Sequence, residues 1–151
     1  MNQSLSNLTP SLKWFVSGML VVAGASYLSL LASIWHDTGF STTLISEAYG
    51  SMGTIELTEH SLKYLLWFLV IFSSTGALFF LTKAPERLKI LLAVLIPILI
   101  LSDIGSAWLI IYHDVYVKVM WLSGFLLAVF FMTMVVFIQR DLWFSKEAAR
   151  S

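Results

Sequence analysis

The residues of this chain best suited to chemistry are its three histidines, because each has an acidic neighbour in the sequence. Imidazole is the commonest protein metal ligand, and it titrates near neutral pH without any perturbation. Neighbours in sequence point to different sides of a helix, however, so adjacency alone does not make a functional pair. The chemistry therefore depends on whether the fold brings the rings together. The three pairs are His36-Asp37, Glu59-His60 and His113-Asp114.

The composition is that of a membrane protein rather than of a soluble domain. Hydrophobic residues make up 58% of the chain and charged residues 12%, against roughly 25% charged residues in soluble domains. The net charge of zero creates no field that would attract nucleic acid, so we expect no nucleic acid partner. The absence of cysteine excludes disulfides, thiolate metal sites and cysteine nucleophiles.

Four apolar stretches run through the chain, at about residues 14–35, 64–82, 90–112 and 119–138. Each has about the 20 residues that a helix needs to cross the hydrocarbon core of a bilayer. We therefore predict an all-α membrane protein in which residues 1–151 form one four-span transmembrane domain surrounded by the lipid bilayer. Short connections make successive helices neighbours, which predicts an antiparallel four-helix transmembrane bundle.

The first span has a competing interpretation as a cleaved signal peptide. Ala23-Gly24-Ala25 resembles a signal-peptidase site that follows a short apolar region. The apolar run continues to Trp35, however, and the segment before it carries a single lysine. Retention of the span is the favoured interpretation.

The basic residues predict the orientation of the spans, because cytoplasmic loops carry an excess of lysine and arginine. Of the nine basic residues, Lys63 and Lys118 lie on one side of the predicted spans. The other side should be cytoplasmic, together with both termini and the tail at residues 139–151, and such short loops favour a bacterial inner membrane. The seven basic residues on that side are Lys13, Lys83, Arg87, Lys89, Arg140, Lys146 and Arg150.

The loop between the first two spans, residues 36–63, should be external, and it is long for a compact bundle. Residues 42–49 have the pattern of two helical turns, which the two glycines within residues 50–53 should end. Thr58 is then predicted to cap the second membrane helix, with Glu59 near the positive end of its dipole.

Small residues predict which faces of the spans pack together. In the first span, Ala25, Ser29 and Ala32 share a stripe with His36, and small residues let membrane helices approach closely. We therefore expect His36 to face the packed interior. On the third span, Ser102 and Ser106 share a stripe with His113 in the same way.

Four antiparallel spans return the histidines to one external edge, which predicts a cofactor site formed by His36, His60 and His113. Two axial imidazoles would hold haem b, whereas three would hold Cu or Zn, with the neighbouring carboxylates fixing the ring tautomers. The alternative is that the three histidines lie in the headgroup zone, where a polar tip on an apolar body is stable without a ligand.

Asp103 is the only ionisable residue well inside a predicted span. A carboxylate at bilayer depth costs on the order of 2.5–3.5 kcal/mol, so it must face the bundle and find a partner or stay protonated. It would serve either as a proton or cation relay or as an interhelical hydrogen bond that holds the fold together. The predicted intramembrane polar site comprises Asp103, Ser102, Ser106 and Ser74, with Ser26, Ser73, Thr75 and Ser123 as further candidate partners.

Three functional hypotheses follow. The first is an accessory or structural subunit of a membrane complex or homo-oligomer, without chemistry of its own. The second is a haem- or metal-binding electron-transfer protein, and the third is a small proton- or cation-linked transporter centred on Asp103. No nucleophile elbow or Ser-x-x-Lys pattern supports an enzyme.

Overall fold

The computed structural model describes Leu5 and residues 8–144, except for the side chains of residues 33, 34, 37 and 38. This part of the chain folds into five helices and contains no strand. Four of the five are long and apolar enough to cross a membrane, which confirms the all-α prediction with four apolar helices. The helices are α1 (Pro10–Thr38), α2 (Thr42–Gly50), α3 (Thr54–Phe80), α4 (Glu86–Leu109) and α5 (Val115–Trp143).

The ends of α1 follow from its sequence. Pro10 occupies the first turn, where its missing N–H costs nothing and its fixed φ suits the helix. At the other end, Gly39 adopts a left-handed φ of 53° and donates its backbone N–H to Trp35, a geometry that glycine tolerates without strain. Phe40 also has a positive φ of 59°, so the chain reverses here and enters α2.

The short helix predicted at residues 42–49 is present as α2, where the side chain of Ser41 accepts a hydrogen bond from the Leu44 N–H. The predicted capping role of Thr58 is wrong. The helix α3 begins at Thr54, directly after Gly53, and the Thr58 hydroxyl donates to the Thr54 carbonyl at 2.8 Å. No helix breaker follows Gly53, so α3 extends well before the apolar stretch at residue 64.

The central element of the fold is α5, which packs against each of the other four helices. Its fully buried residues include Val117, Leu127 and Ile138. The helices α3 and α4 also pack against each other, whereas α1 and α2 make their main contacts with α5. The packing that positions the polar residues is therefore the packing on α5.

Hydrogen bonds tie the start of α1, the turn between α3 and α4 and the end of α5 together. Trp143 Nε1 donates to Ser17 Oγ at 3.2 Å, and Ser17 in turn donates to Gln139 Oε1 at 3.1 Å. The backbone N–H of Lys83 donates to the carboxylate of Asp141, which is 6% exposed. The part of the predicted tail beyond residue 144, with Lys146 and Arg150, lies outside the described residues.

The opposite ends of the helices are joined by a second set of contacts. The rings of Phe40 and Trp121 meet edge to face, with centroids 4.6 Å apart. The hydroxyl of Ser46 in α2 donates to Asp114 Oδ1 at 2.5 Å, which connects α2 to the turn before α5. These contacts hold α2 across one end of the helices.

Candidate functional site

A cavity of about 390 Å³ lies beneath α2, and all five helices contribute to its lining. This volume is within the range of small-molecule sites, roughly 300–1,000 Å³. Ile45, Ala48 and Tyr49 cover it from α2. Most of the wall is apolar or aromatic. The lining residues with hydroxyl, imidazole or carboxyl groups are Tyr27, Tyr49, His60, Ser61, Tyr64 and Asp103.

Asp103 is the acidic residue of this cavity, and it lies on α4 at the α4–α5 contact. Its Oδ1 accepts a hydrogen bond of 3.0 Å from Ser123 Oγ on α5. Within the described part of the chain, its Oδ2 has no hydrogen bond. Because α4 rises about 1.5 Å per residue, Asp103 lies about 9 Å before the helix end at Leu109.

Gly124 makes room for the carboxylate. A Cβ atom at this position would lie 3.7 Å from Asp103 Oδ1, which is ordinary van der Waals contact, so any larger side chain would fill the space beside the carboxylate. The carbonyl of Gly124 accepts a hydrogen bond of 2.9 Å from the Tyr27 hydroxyl. One turn of α5 thus binds both α4 and α1 at the cavity.

Two of the three serines predicted for the polar site have hydroxyls that hydrogen-bond within their own helices. Ser106 Oγ donates to the Ser102 carbonyl, and Ser74 Oγ donates to the Val70 carbonyl at 2.6 Å. Serine commonly bonds back to the preceding turn in this way. Among the predicted partners of Asp103, the structure brings Ser123 to it.

His60 lines the cavity and contacts two tyrosines. Its Nε2 lies 2.9 Å from the Tyr49 hydroxyl, and its ring centroid lies 4.4 Å from that of Tyr64. Burial is the main cause that raises the pKa of the Tyr49 hydroxyl, with smaller contributions from Tyr64 and Asp103. The hydroxyl therefore keeps its proton and is available as a donor to His60.

The other two histidines lie elsewhere. His36 is in the last turn of α1 and is exposed, which differs from the interior position predicted for it. The helix α4 ends at Leu109, so His113 lies in the following turn, where its Nδ1 accepts the N–H of Val115 at 3.1 Å. It therefore does not share a helical stripe with Ser106.

The stripe of small residues on α1 faces outward, contrary to the sequence prediction. Ala25, Ser29 and Ala32 are exposed, whereas Leu20 and Tyr27 are 5% exposed and face the other helices. Larger side chains bury more apolar area, and Tyr27 also gains a hydrogen bond on α5. These two gains outweigh close packing of the small residues.

Sequence reasoning missed two further features of the site. Trp121 lines the cavity, and its Nε1 is buried without a hydrogen-bond acceptor among the described residues. Tyr49 belongs to the short helix predicted at residues 42–49, and nothing in the sequence indicates that it reaches His60. The sequence signal for this contact is weak, because Tyr49 and His60 lie on different helices that are joined by a segment with two glycines, so no helical spacing relates them.

Among the described residues, no group of three or more histidine, aspartate or glutamate side chains could hold a metal ion. Binding of haem or a metal by His36, His60 and His113 stays a prediction. A Soret band in the purified protein that disappears in His60→Ala would establish haem binding. The cavity itself combines one carboxyl group, a histidine–tyrosine pair and aromatic walls, which suits binding of a small amphipathic molecule.

Four long apolar helices around a largely apolar cavity define a polytopic helical membrane protein. Residues 51–149, about two thirds of the chain, match the Aq_1264_TM family, a transmembrane helical domain, and the chain belongs to this family. The matched range includes α3, α4 and α5, and with them Asp103, His60 and Ser123. No curated protein and no solved structure matches the chain.

Proposed function

We propose that this protein is a small proton- or cation-linked transporter of the bacterial inner membrane, with Asp103 as its exchange carboxyl. The observation that carries the proposal is the position of Asp103 on the wall of a cavity of about 390 Å³ to which all five helices contribute. Its Oδ2 has no hydrogen bond to the described residues, so one carboxyl oxygen is left for a ligand. A carboxyl that only joined helices would need no cavity beside it.

The topology that we propose is an antiparallel bundle with both termini cytoplasmic. Two contacts between α1 and α5 support it, since Ser17 pairs with Gln139 and Tyr27 with Gly124. The residue number rises along α1 while it falls along α5. The concentration of lysine and arginine at the Ser17 end supports a cytoplasmic location for that end, and α2 then covers the external one.

Charge neutralisation explains why a proton and a cation would be alternatives at this site. An ionised carboxylate is unstable at bilayer depth, and either a bound proton or a bound cation removes its net charge. As the cation approaches Asp103, the carboxyl proton passes to water on the side of the membrane to which the site is open. In the reverse step a proton from water returns to the carboxylate and the cation is released. Exchange of the two ligands would therefore let the site open to one side of the membrane and then to the other without an uncompensated charge on Asp103.

Two other roles stay predictions, a haem- or metal-binding electron-transfer protein and an accessory subunit. An accessory subunit without chemistry, bound to a partner subunit or to a second copy, would use Asp103 only as an interhelical hydrogen-bond acceptor. We favour transport over this role because of the cavity, and because all five helices line it.

Proton flux in proteoliposomes tests the proposal. Vesicles with an acidic interior and a trapped pH dye receive sodium, potassium or benzyltrimethylammonium outside. We expect at least one of the three to dissipate the pH gradient in the wild type, and Asp103→Asn to abolish this effect. Glu86→Gln is the matched control, because Glu86 is an exposed residue in the first turn of α4 and is not part of the cavity lining.

The proposal fails if none of the three cations dissipates the gradient, or if Asp103→Asn dissipates it at the wild-type rate. If Glu86→Gln also lost the dissipation of the pH gradient to the same extent, this would count against the proposal. The loss would then reflect poor reconstitution of the variants and not the Asp103 site. Circular dichroism of each variant before reconstitution keeps a folding defect separate from a defect in exchange.

A further inference from the structure

We infer that the ligand of the cavity is a hydrophobic organic cation, held by the Asp103 carboxylate and surrounded by aromatic rings. This inference rests on the proposed function, because it names the substrate class for the same site. It is carried by three properties of the described lining: the sign of its charge, the nature of its walls and the small number of its oxygen atoms.

The first property is charge. Asp103 is the acidic residue of the lining, and no lysine or arginine belongs to the described residues that form it. The carboxylate has a hydrogen bond from Ser123 and no ion pair in the described part of the chain. A cation would supply the missing opposite charge, whereas an anion would meet repulsion in a region of low dielectric constant.

The second property is the aromatic wall. Seven of the lining residues present phenylalanine, tyrosine or tryptophan rings, from four helices and from the turn before α2. Trp121 and Phe40 are packed edge to face with centroids 4.6 Å apart, which fixes both rings. The faces of aromatic rings attract cations, and tryptophan does so most strongly. The seven are Tyr27, Phe40, Tyr49, Tyr64, Phe68, Trp121 and Phe125.

The third property distinguishes an organic cation from an inorganic one. Hard metal cations take six or more oxygen ligands. Among its side-chain oxygens, the described lining offers the Asp103 carboxylate and a few hydroxyls. Of these, the Ser61 hydroxyl already accepts a hydrogen bond of 2.9 Å from Trp108 Nε1. No group of histidine and acidic residues suited to a metal occurs in the described residues. A quaternary ammonium ion needs no such shell, because aromatic faces replace its hydration.

A pair of probes of equal shape tests the charge. Benzyltrimethylammonium carries a fixed positive charge, and benzyldimethylamine N-oxide is its neutral counterpart at pH 8. We measure the affinity of both for the full chain in detergent by isothermal titration calorimetry. We expect the cation to bind about tenfold or more tightly than the N-oxide, and Asp103→Asn to remove this difference.

Aromatic variants test the wall. We expect Trp121→Leu to weaken binding of benzyltrimethylammonium by about tenfold, and Trp121→Phe to restore most of it, because the second variant keeps a ring. Trp67→Leu is the matched control, since Trp67 is 47% exposed and is not part of the cavity lining. A thermal unfolding curve for each variant separates loss of binding from loss of folding.

The inference is overturned if the N-oxide binds as tightly as the cation, or if Asp103→Asn binds the cation with unchanged affinity. It is also overturned if sodium or potassium displaces benzyltrimethylammonium at comparable concentration. In that last case the proposed function would stand, because an inorganic cation would still exchange with the proton. Binding of the organic cation without dissipation of the pH gradient would have the opposite meaning: the ligand class would hold and transport would not.

Discussion

Ser123 Oγ lies 3.0 Å from Asp103 Oδ1 and donates to it across the contact between α4 and α5. The same hydroxyl lies 3.0 Å from the Val119 carbonyl and 2.9 Å from the Met120 carbonyl. A hydroxyl has one proton, so the bond to Asp103 competes with bonds to the preceding turn of α5. This competition weakens the bond between the two helices.

Replacement of this serine should have a small effect on stability. We expect Ser123→Ala to lower the free energy of unfolding by about 0.6 kcal/mol, the average for interhelical hydrogen bonds in membranes. Titration with sodium dodecyl sulfate in mixed micelles measures it. Ser74→Ala is the control, because Ser74 bonds to carbonyls of its own helix. An equal loss in both variants would refute an interhelical role for Ser123.

The contact between Tyr49 and His60 should hold α2 over the cavity. Tyr49→Phe removes one hydrogen bond, worth about 1 kcal/mol, and we expect α2 to open about fivefold more often. The chain has no cysteine, so a single Ile45→Cys reports the opening by its labelling rate, because Ile45 is 1% exposed. Tyr112→Phe is the matched control, since Tyr112 is 76% exposed. Unchanged labelling in Tyr49→Phe would show that other contacts hold α2.

The Asp141 carboxylate should contribute more to the free energy of unfolding than the Glu86 carboxylate. Asp141→Ala removes the acceptor of the Lys83 backbone N–H, in a bond that is partly buried, and a hydrogen bond to a charged group contributes about 1.5–3 kcal/mol. The same detergent titration measures this loss. Glu86→Ala in the first turn of α4 should cost less than about 0.5 kcal/mol, because its pair with Lys89 spans 3.9 Å and the Glu86 side chain is 77% exposed. The reverse order of the two effects would contradict this assignment.

The proposed topology makes a separate prediction. Reporter domains fused after Lys83 and after Arg150 should be cytoplasmic, and one inserted after Gly53 should be external, because the basic residues are concentrated at the first two positions. Enzyme reporters that are active on one side of the membrane measure this directly. Activity of the Lys83 and Gly53 fusions on the same side would show that α3 does not cross the membrane, and would exclude the proposed topology.

The membrane helices could be predicted because their signal is a property of composition. A run of about 20 apolar residues is long enough to cross a bilayer whatever its neighbours are, and each predicted run lies largely within one of the four long helices. Their ends were less predictable. Thr58 has the chemistry of a cap, but the break at Gly53 determined where α3 begins.

The cavity could not be predicted, because it depends on how each helix is rotated. The small residues Ala25 and Ser29 suggested one packed face of α1, whereas Tyr27 marks the face that packs on α5. Ser123 was one of several candidate partners of Asp103, and no sequence pattern selected it. Nor did any pattern indicate that Tyr49 would lie against His60, since that contact requires the turn between α2 and α3.

The central position of α5 has a consequence for biogenesis. The ribosome releases α5 after α1 to α4, yet α1 and α2 find their main packing surface on it. The helices α1 and α2 therefore lack their main packing surface until α5 is inserted. During synthesis Asp103 lacks its hydrogen bond from Ser123 until α5 has been made. A nascent chain stalled before residue 115 should therefore be a preferred substrate of membrane quality-control proteases.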